Sequence, residues 1–91
     1  MTLEEIKDIL VEMEYPESVV FEDPDYLPAI IGIDDSTGAV IYDFYLMVQH
    51  LMDADGMEEL EAVEFIECNT IRALPYIREG VPPIIMRRIE F

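Results

Sequence analysis

Apolar side chains near the N-terminus recur every three or four residues, which is typical of an amphipathic helix. They are Leu3, Ile6, Ile9, Leu10 and Met13. Thr2 precedes this run as an N-cap, and Glu5 stands three residues later as its capping-box partner. Pro16 cannot continue a helix, because its ring removes a backbone donor. The pattern predicts a first helix over residues 2–14 and an extended connector over residues 16–28.

Two short β-branched runs, at residues 29–33 and 39–42, follow the connector. Residues 34–38 separate them with the sequence Asp-Asp-Ser-Thr-Gly, which suits a hairpin loop with Gly38 at positive φ. The middle of the chain is therefore predicted to form a β-hairpin.

A second helix is expected over residues 44–54, with Asp43 as its N-cap and Gly56 at its end. Its apolar face consists of Phe44, Met47, Val48 and Leu51. His50 falls on the opposite side of this helix, so we expect its side chain to be solvated.

A third helix is expected from Met57 to about Pro75. Glu61, Glu64 and Glu67 form one solvent-facing arc on its helical wheel. The opposite side carries Ala62, Phe65, Ile66, Thr70 and Ala73, with Asn69 among them. An unsatisfied buried amide costs about 1 to 3 kcal/mol, so an inward Asn69 is expected to tie the helix end to a neighbouring loop.

Residues 84–89 close the chain as a third strand beside the hairpin. The predicted fold is a single α+β domain over residues 1–91, with three helices packed on a small three-stranded, mainly antiparallel sheet in the order α-β-β-α-α-β. A chain of 91 residues has room for one core, and its 52% hydrophobic content argues against disorder.

The charged side chains are distributed unevenly. Nineteen of the 21 carboxylates lie in residues 1–71, where Lys7 is the only basic residue. Residues 72–91 carry four arginines against two acids, so a segment of charge −18 is followed by one of +2. A surface this negative repels nucleic acids and anionic lipids. We expect no direct nucleic-acid binding and no membrane association, and a protein with a basic surface is the favoured partner.

The cysteine content and the apolar runs bear on the cellular compartment. Cys68 is the only cysteine, so an intramolecular disulfide is excluded, as suits a reducing environment. The sequence contains no apolar run near the roughly 20 residues that span a bilayer. A cytoplasmic protein is predicted.

Sequence patterns for catalysis and metal binding are weak. The segment Asp53-Ala54-Asp55-Gly56 resembles part of a calcium loop. Aligning Gly56 with the glycine of that loop, however, places Leu51 at the first ligand position and Ala62 at the position of the bidentate glutamate. His50 and Cys68 are each the only residue of their type, so a zinc cluster cannot form within one chain. No catalytic residue, metal or cofactor is predicted.

The segment of residues 64–76 is the most distinctive part of the chain. Asn69, Arg72 and Tyr76 are candidates for a recognition cleft, in which the arginine could hold a carboxylate or a phosphate. The alternative is structural: Asn69 ties the helix end to a loop, and Arg72 pairs with a carboxylate of its own chain.

The same segment carries a resemblance. Its string Asn-Thr-Ile-Arg-Ala-Leu-Pro-Tyr at residues 69–76, with Glu-Phe-Ile at 64–66 and Asp43 before its helix, resembles a group of short uncharacterised proteins from gut-type Firmicutes and their mobile elements. The similarity runs from about Ala29 to Met86. It implies a small standalone domain from accessory or phage-related genes and supplies no activity.

Three functions stay open. The favoured one is a small non-enzymatic regulatory or adaptor protein that binds another protein. The second is an inhibitor that mimics nucleic acid and occupies the groove of a basic nucleic-acid-binding protein, although acids at helix starts such as Glu4 and Glu58 also have a structural reason in the helix dipole. The third is an enzyme with its site at Asn69, Arg72 and Tyr76.

The oligomeric state is open. Two such acidic chains would repel each other unless Arg87 and Arg88 of one chain meet acids of the other.

Overall fold

The computed structural model describes residues 1–89. Its helices and strands are α1 (Leu3–Glu12), β1 (Ile30–Ile33), β2 (Val40–Asp43), α2 (Phe44–Asp55), α3 (Glu59–Phe65) and β3 (Ile84–Met86). A π-helical turn, Ile66–Ile71, continues α3, and short 3-10 turns occupy Leu27–Ala29 and Leu74–Tyr76. The predicted α+β class, with three α-helices and three strands, is confirmed.

The helix ends follow the local sequence. Thr2 and Glu5 form the expected capping box, in which the Glu5 backbone N–H donates to Thr2 Oγ1 at 3.2 Å and the Thr2 backbone N–H donates to the Glu5 carboxylate at 3.1 Å. Asp43 caps α2, and Gly56 ends it in the left-handed conformation. Local capping chemistry therefore sets these boundaries, as the sequence predicts.

The sheet is mixed, with strand order β1-β2-β3. β1 pairs antiparallel with β2, and β3 pairs parallel with β2, so the expectation of a mainly antiparallel sheet is wrong for the second pair. The physical reason is the long connection through α2 and α3, which returns the chain to the end of the sheet where β2 begins. β3 then starts beside Ile41 and ends beside Asp43.

One core lies between the sheet and the helices. Its largest fully buried side chains come from the connector, β2, α2 and the π-turn, and they are Tyr26, Tyr42, Met47, Leu51, Ile66 and Val40. Gly38, at φ 79°, turns the hairpin against the ring of Tyr15, where a Cβ would overlap the aromatic carbons. Tyr15, just before the connector, is thereby packed against the hairpin.

The third helix differs from its prediction after Phe65. In the π-turn, hydrogen bonds span five residues instead of four, so each residue advances by a smaller angle around the axis. Asn69 is consequently exposed, and the expectation that it points inward and binds a neighbouring loop is wrong. Thr70, which was expected on the inner side, is buried, and its hydroxyl lies 2.9 Å from the hydroxyl of Tyr26 in the connector.

The helices are short. Between residues 1 and 89, none combines the length and the apolar content that a bilayer crossing requires.

Burial of Tyr42 makes the stability of the fold sensitive to alkaline pH. The Tyr42 hydroxyl accepts a hydrogen bond from the Phe21 backbone N–H at 3.1 Å, and desolvation raises its pKa to about 12. A group whose pKa is raised on folding stabilises fully below its unfolded value, about 10, and this contribution is lost as pH rises through 12. We expect the free energy of unfolding to fall by about 2 to 3 kcal/mol between pH 10 and 12 through this group.

Urea unfolding of the wild type and of Tyr42→Phe across this range isolates the contribution. The variant should start about 1 kcal/mol less stable at pH 8, because the Phe21 N–H loses its acceptor, and should then lose less stability than the wild type. Parallel losses in both proteins would contradict the assignment to Tyr42.

Candidate functional site

The structure brings the three predicted site residues together. Asn69, Arg72 and Tyr76 line a shallow groove of about 250 Å³, whose other lining residues are Cys68 and Ala73. Asn69 comes from the π-turn, and Tyr76 ends the 3-10 turn that follows it. We call this surface the recognition groove.

The polar side chains of the recognition groove remain available to a ligand. Asn69 donates from Nδ2 to the backbone oxygen of Phe65 at 3.1 Å, which fixes its amide on the surface of its own helix. Among residues 1–89, no carboxylate lies within 4.0 Å of the Arg72 guanidinium, so the alternative of a pair within the chain is not formed there. Tyr76 is 74% exposed.

A second groove, of about 440 Å³, was not anticipated from the sequence. It is lined by two arginines and two aromatic residues, Phe44, Tyr45, Arg87 and Arg88. The Arg87 guanidinium carbon lies 3.9 Å from the Phe44 ring centroid, and that of Arg88 lies 5.2 Å from the Tyr45 ring centroid. Both guanidiniums are thus held over aromatic faces, an arrangement that stabilises a cation. We call this surface the arginine groove.

Two carboxylates orient these arginines. Arg88 Nε donates to Asp43 Oδ2 at 2.7 Å, and the other oxygen of Asp43 accepts from the Leu46 backbone N–H at 3.2 Å. Arg87 Nη2 lies 3.4 Å from Glu67 Oε1. Asp43, which is 2% exposed, therefore caps α2 and at the same time binds Arg88, which follows β3.

The sequence signals for this groove were present but separate. The sequence predicts Asp43 as a helix cap and places Arg87 and Arg88 within the predicted third strand over residues 84–89. Their contact requires the parallel register that places Met86 beside Asp43, and strand pairing between distant segments is not encoded by local pattern. The groove was therefore missed for lack of a tertiary contact.

His50 is less exposed than the helical wheel of α2 suggests. Its side chain is 21% exposed, with Nε2 3.9 Å from Asp25 Oδ1 and its ring edge-on to Tyr26 at a centroid distance of 6.0 Å. The expectation of a solvated His50 is wrong, because the connector crosses this side of α2. The cluster joins the connector to α2, and Tyr26 extends it to Thr70.

The predicted acidic arc on the third helix is present, since Glu61, Glu64 and Glu67 are all exposed. In the part of the chain that the structure describes, no three His, Cys, Asp or Glu side chains are grouped so that they could hold a metal ion. Cys68 is exposed at the edge of the recognition groove. The geometry thus offers contact surfaces of arginine, tyrosine and carboxylate.

Comparisons with known proteins do not identify a family for this chain. The resemblance to short Firmicutes proteins stays a prediction. No protein-family model, no curated protein and no solved structure matches this chain.

Proposed function

We propose that the protein is a small non-enzymatic regulatory or adaptor protein that binds another protein through the recognition groove. The observation that carries this proposal is the position of Tyr76, 74% exposed, in one groove with an arginine that has no carboxylate partner within residues 1–89. Tyrosine and arginine are enriched among the residues that dominate protein interfaces.

Hydrogen bonds anchor the turn beneath the groove. Thr70, beside Asn69, is anchored to Tyr26 by a buried hydroxyl pair, and Asn69 is held by the Phe65 carbonyl. A groove fixed before binding loses little conformational freedom when the partner arrives. This favours recognition by Arg72 and Tyr76.

The charge of the chain favours one class of partner. At −16, the protein attracts a basic protein surface over a distance of about one Debye length, roughly 8 Å at physiological salt. On contact, the Arg72 guanidinium can bind a backbone carbonyl or a carboxylate with parallel N–H groups. We therefore propose a basic partner that places such an acceptor beside an apolar contact for Tyr76.

Arg72→Ala and Tyr76→Ala are expected to weaken partner binding by at least about tenfold, which corresponds to about 1.4 kcal/mol. The partner is captured from extract of the source cell at low and high salt, identified by mass spectrometry, purified and titrated by calorimetry. Arg78→Ala is the matched control, since Arg78 is also an exposed arginine but does not line the groove. It should bind like the wild type, and circular dichroism should show all three variants folded.

Equal binding by all three variants would overturn the role of the groove. Glu64→Gln tests the nucleic-acid mimic in the same titration. Binding that depends on Glu64, is insensitive to Tyr76→Ala and disappears at high salt would favour the mimic.

A further inference from the structure

A pocket of about 230 Å³ lies beside the recognition groove. The rings of Phe21, Tyr26 and Phe65 line it, together with the carboxylates of Glu22 and Asp23. Tyr26 is fully buried and forms the floor, whereas both acids are exposed and lie at the rim. We call it the acidic pocket. An aromatic interior below a negative rim is complementary to a side chain whose aliphatic stem ends in a cation.

The acidic pocket and the recognition groove form one continuous surface. Asn69 and Ala73 line both of them. Arg72 and Tyr76 line the groove alone. A single segment of a bound protein can therefore contact both, with carboxylates at one end of the contact and a guanidinium at the other.

The charges at the two ends are available to a ligand. Among residues 1–89, no carboxylate lies within 4.0 Å of the Arg72 guanidinium, and no basic side chain lies within 4.0 Å of the Asp23 carboxylate. Glu22 Oε1 lies 3.6 Å from Lys7 Nζ, and these side chains are 68% and 44% exposed. Such an exposed ion pair is weak, so it leaves the rim accessible to a second cation.

The volume of the acidic pocket limits its occupant to about one side chain. Pockets that enclose a whole small molecule measure about 300 to 1,000 Å³, and this one is smaller. The net charge of −16 adds a long-range attraction for a cation. Size, wall chemistry and charge thus agree on a basic side chain.

We propose that the acidic pocket receives a lysine or arginine side chain of the partner protein, while Arg72 binds a carboxylate of the same segment. The methylene stem packs on the rings that line the pocket, and the cation reaches Asp23. Arg72 holds the neighbouring carboxylate through parallel N–H groups. This inference rests on the proposed function, because it names the part of a basic partner that enters the site.

Selection from a phage-displayed library of random linear peptides, on the immobilised whole chain, tests this inference. Enriched peptides should share a lysine or arginine with an aspartate or glutamate nearby. The strongest binder is synthesised and titrated by calorimetry, and Asp23→Lys and Arg72→Ala should each raise its dissociation constant by at least about tenfold. Asp53→Lys repeats the charge change at an exposed position outside both surfaces and should bind like the wild type.

An exchange of charges assigns the contact to Asp23. A peptide in which glutamate replaces the basic residue should bind Asp23→Lys more tightly than it binds the wild type, because the attraction is restored with its sign reversed. Circular dichroism should show every variant folded.

The inference is wrong if the library yields no binder, if an apolar residue takes the place of the basic one, or if Asp23→Lys binds the selected peptide like the wild type. Binders that need Asp23 but not Arg72 would contradict simultaneous contact with both ends. The proposed function is judged separately, by the dependence of the captured partner on Arg72 and Tyr76. A partner that needs those two residues and tolerates Asp23→Lys would support the recognition groove and refute the role of the acidic pocket.

Discussion

Replacement of Tyr26 by alanine is expected to lower the free energy of unfolding by about 3 to 5 kcal/mol, the range for loss of a large buried aromatic side chain. Tyr26 is fully buried, packs edge-on against Phe21 at a centroid distance of 5.6 Å, and reaches Thr70 through its hydroxyl. It is therefore the residue that joins the connector to the π-turn. Urea unfolding followed by circular dichroism measures the change.

Two further variants separate the ring from its hydroxyl. Tyr26→Phe should cost about 1 to 3 kcal/mol, because it leaves the buried Thr70 hydroxyl without its partner. Adding Thr70→Val to Tyr26→Phe should recover part of this loss, since both polar groups are then absent. Tyr76→Ala, at an exposed tyrosine, is the control and should stay within about 0.5 kcal/mol of the wild type. If Tyr26→Ala costs no more than Tyr76→Ala, the anchoring role of Tyr26 is wrong.

The second large effect is expected at Asp43. Asp43→Ala should destabilise the protein by about 3 kcal/mol, because it removes the cap of α2, about 1 kcal/mol, and a charge-assisted bond to Arg88, about 1.5 to 3 kcal/mol. The carboxylate is 3% exposed, so water cannot replace either contact well. Thermal and urea unfolding measure the loss.

Asp43→Asn provides the matched comparison. Asparagine caps helices about as well as aspartate but lacks the charge, so this variant should lose only the part that Arg88 contributes. Asp53→Ala, at an exposed position late in α2, should stay within about 0.5 kcal/mol of the wild type. Equal losses in Asp43→Ala and Asp43→Asn would assign the whole effect to charge and contradict the capping contribution.

The sequence predicts correctly those helix ends and turns that depend on neighbouring residues. The Thr2 capping box, the Gly38 turn, the Asp43 cap and the Gly56 stop each depend on residues within a few positions of one another, and each is present. The apolar face of α2 was also correct for Met47, Val48 and Leu51, which are buried. Such features are readable because their physical cause is contained in one segment.

The errors share a different cause. The helical wheel of the third helix assumes a uniform turn, and the π-turn after Phe65 instead leaves Asn69 exposed while Thr70 is buried as expected. The helical wheel predicts a solvated His50 because it contains no information on the connector, which crosses α2 at this position. The three candidate residues still share one groove, because the exposed Asn69 lies on the same surface as Arg72 and Tyr76.

By itself, the sequence determined the class of the fold, the main helix and strand positions and the acidic character of the surface, because composition and short-range periodicity specify them. Only the tertiary structure decided the parallel pairing of β3 with β2, and with it the contact of Arg88 with Asp43. Those features depend on which distant segments meet. That choice is made by the whole core, through packing energies that no single segment contains.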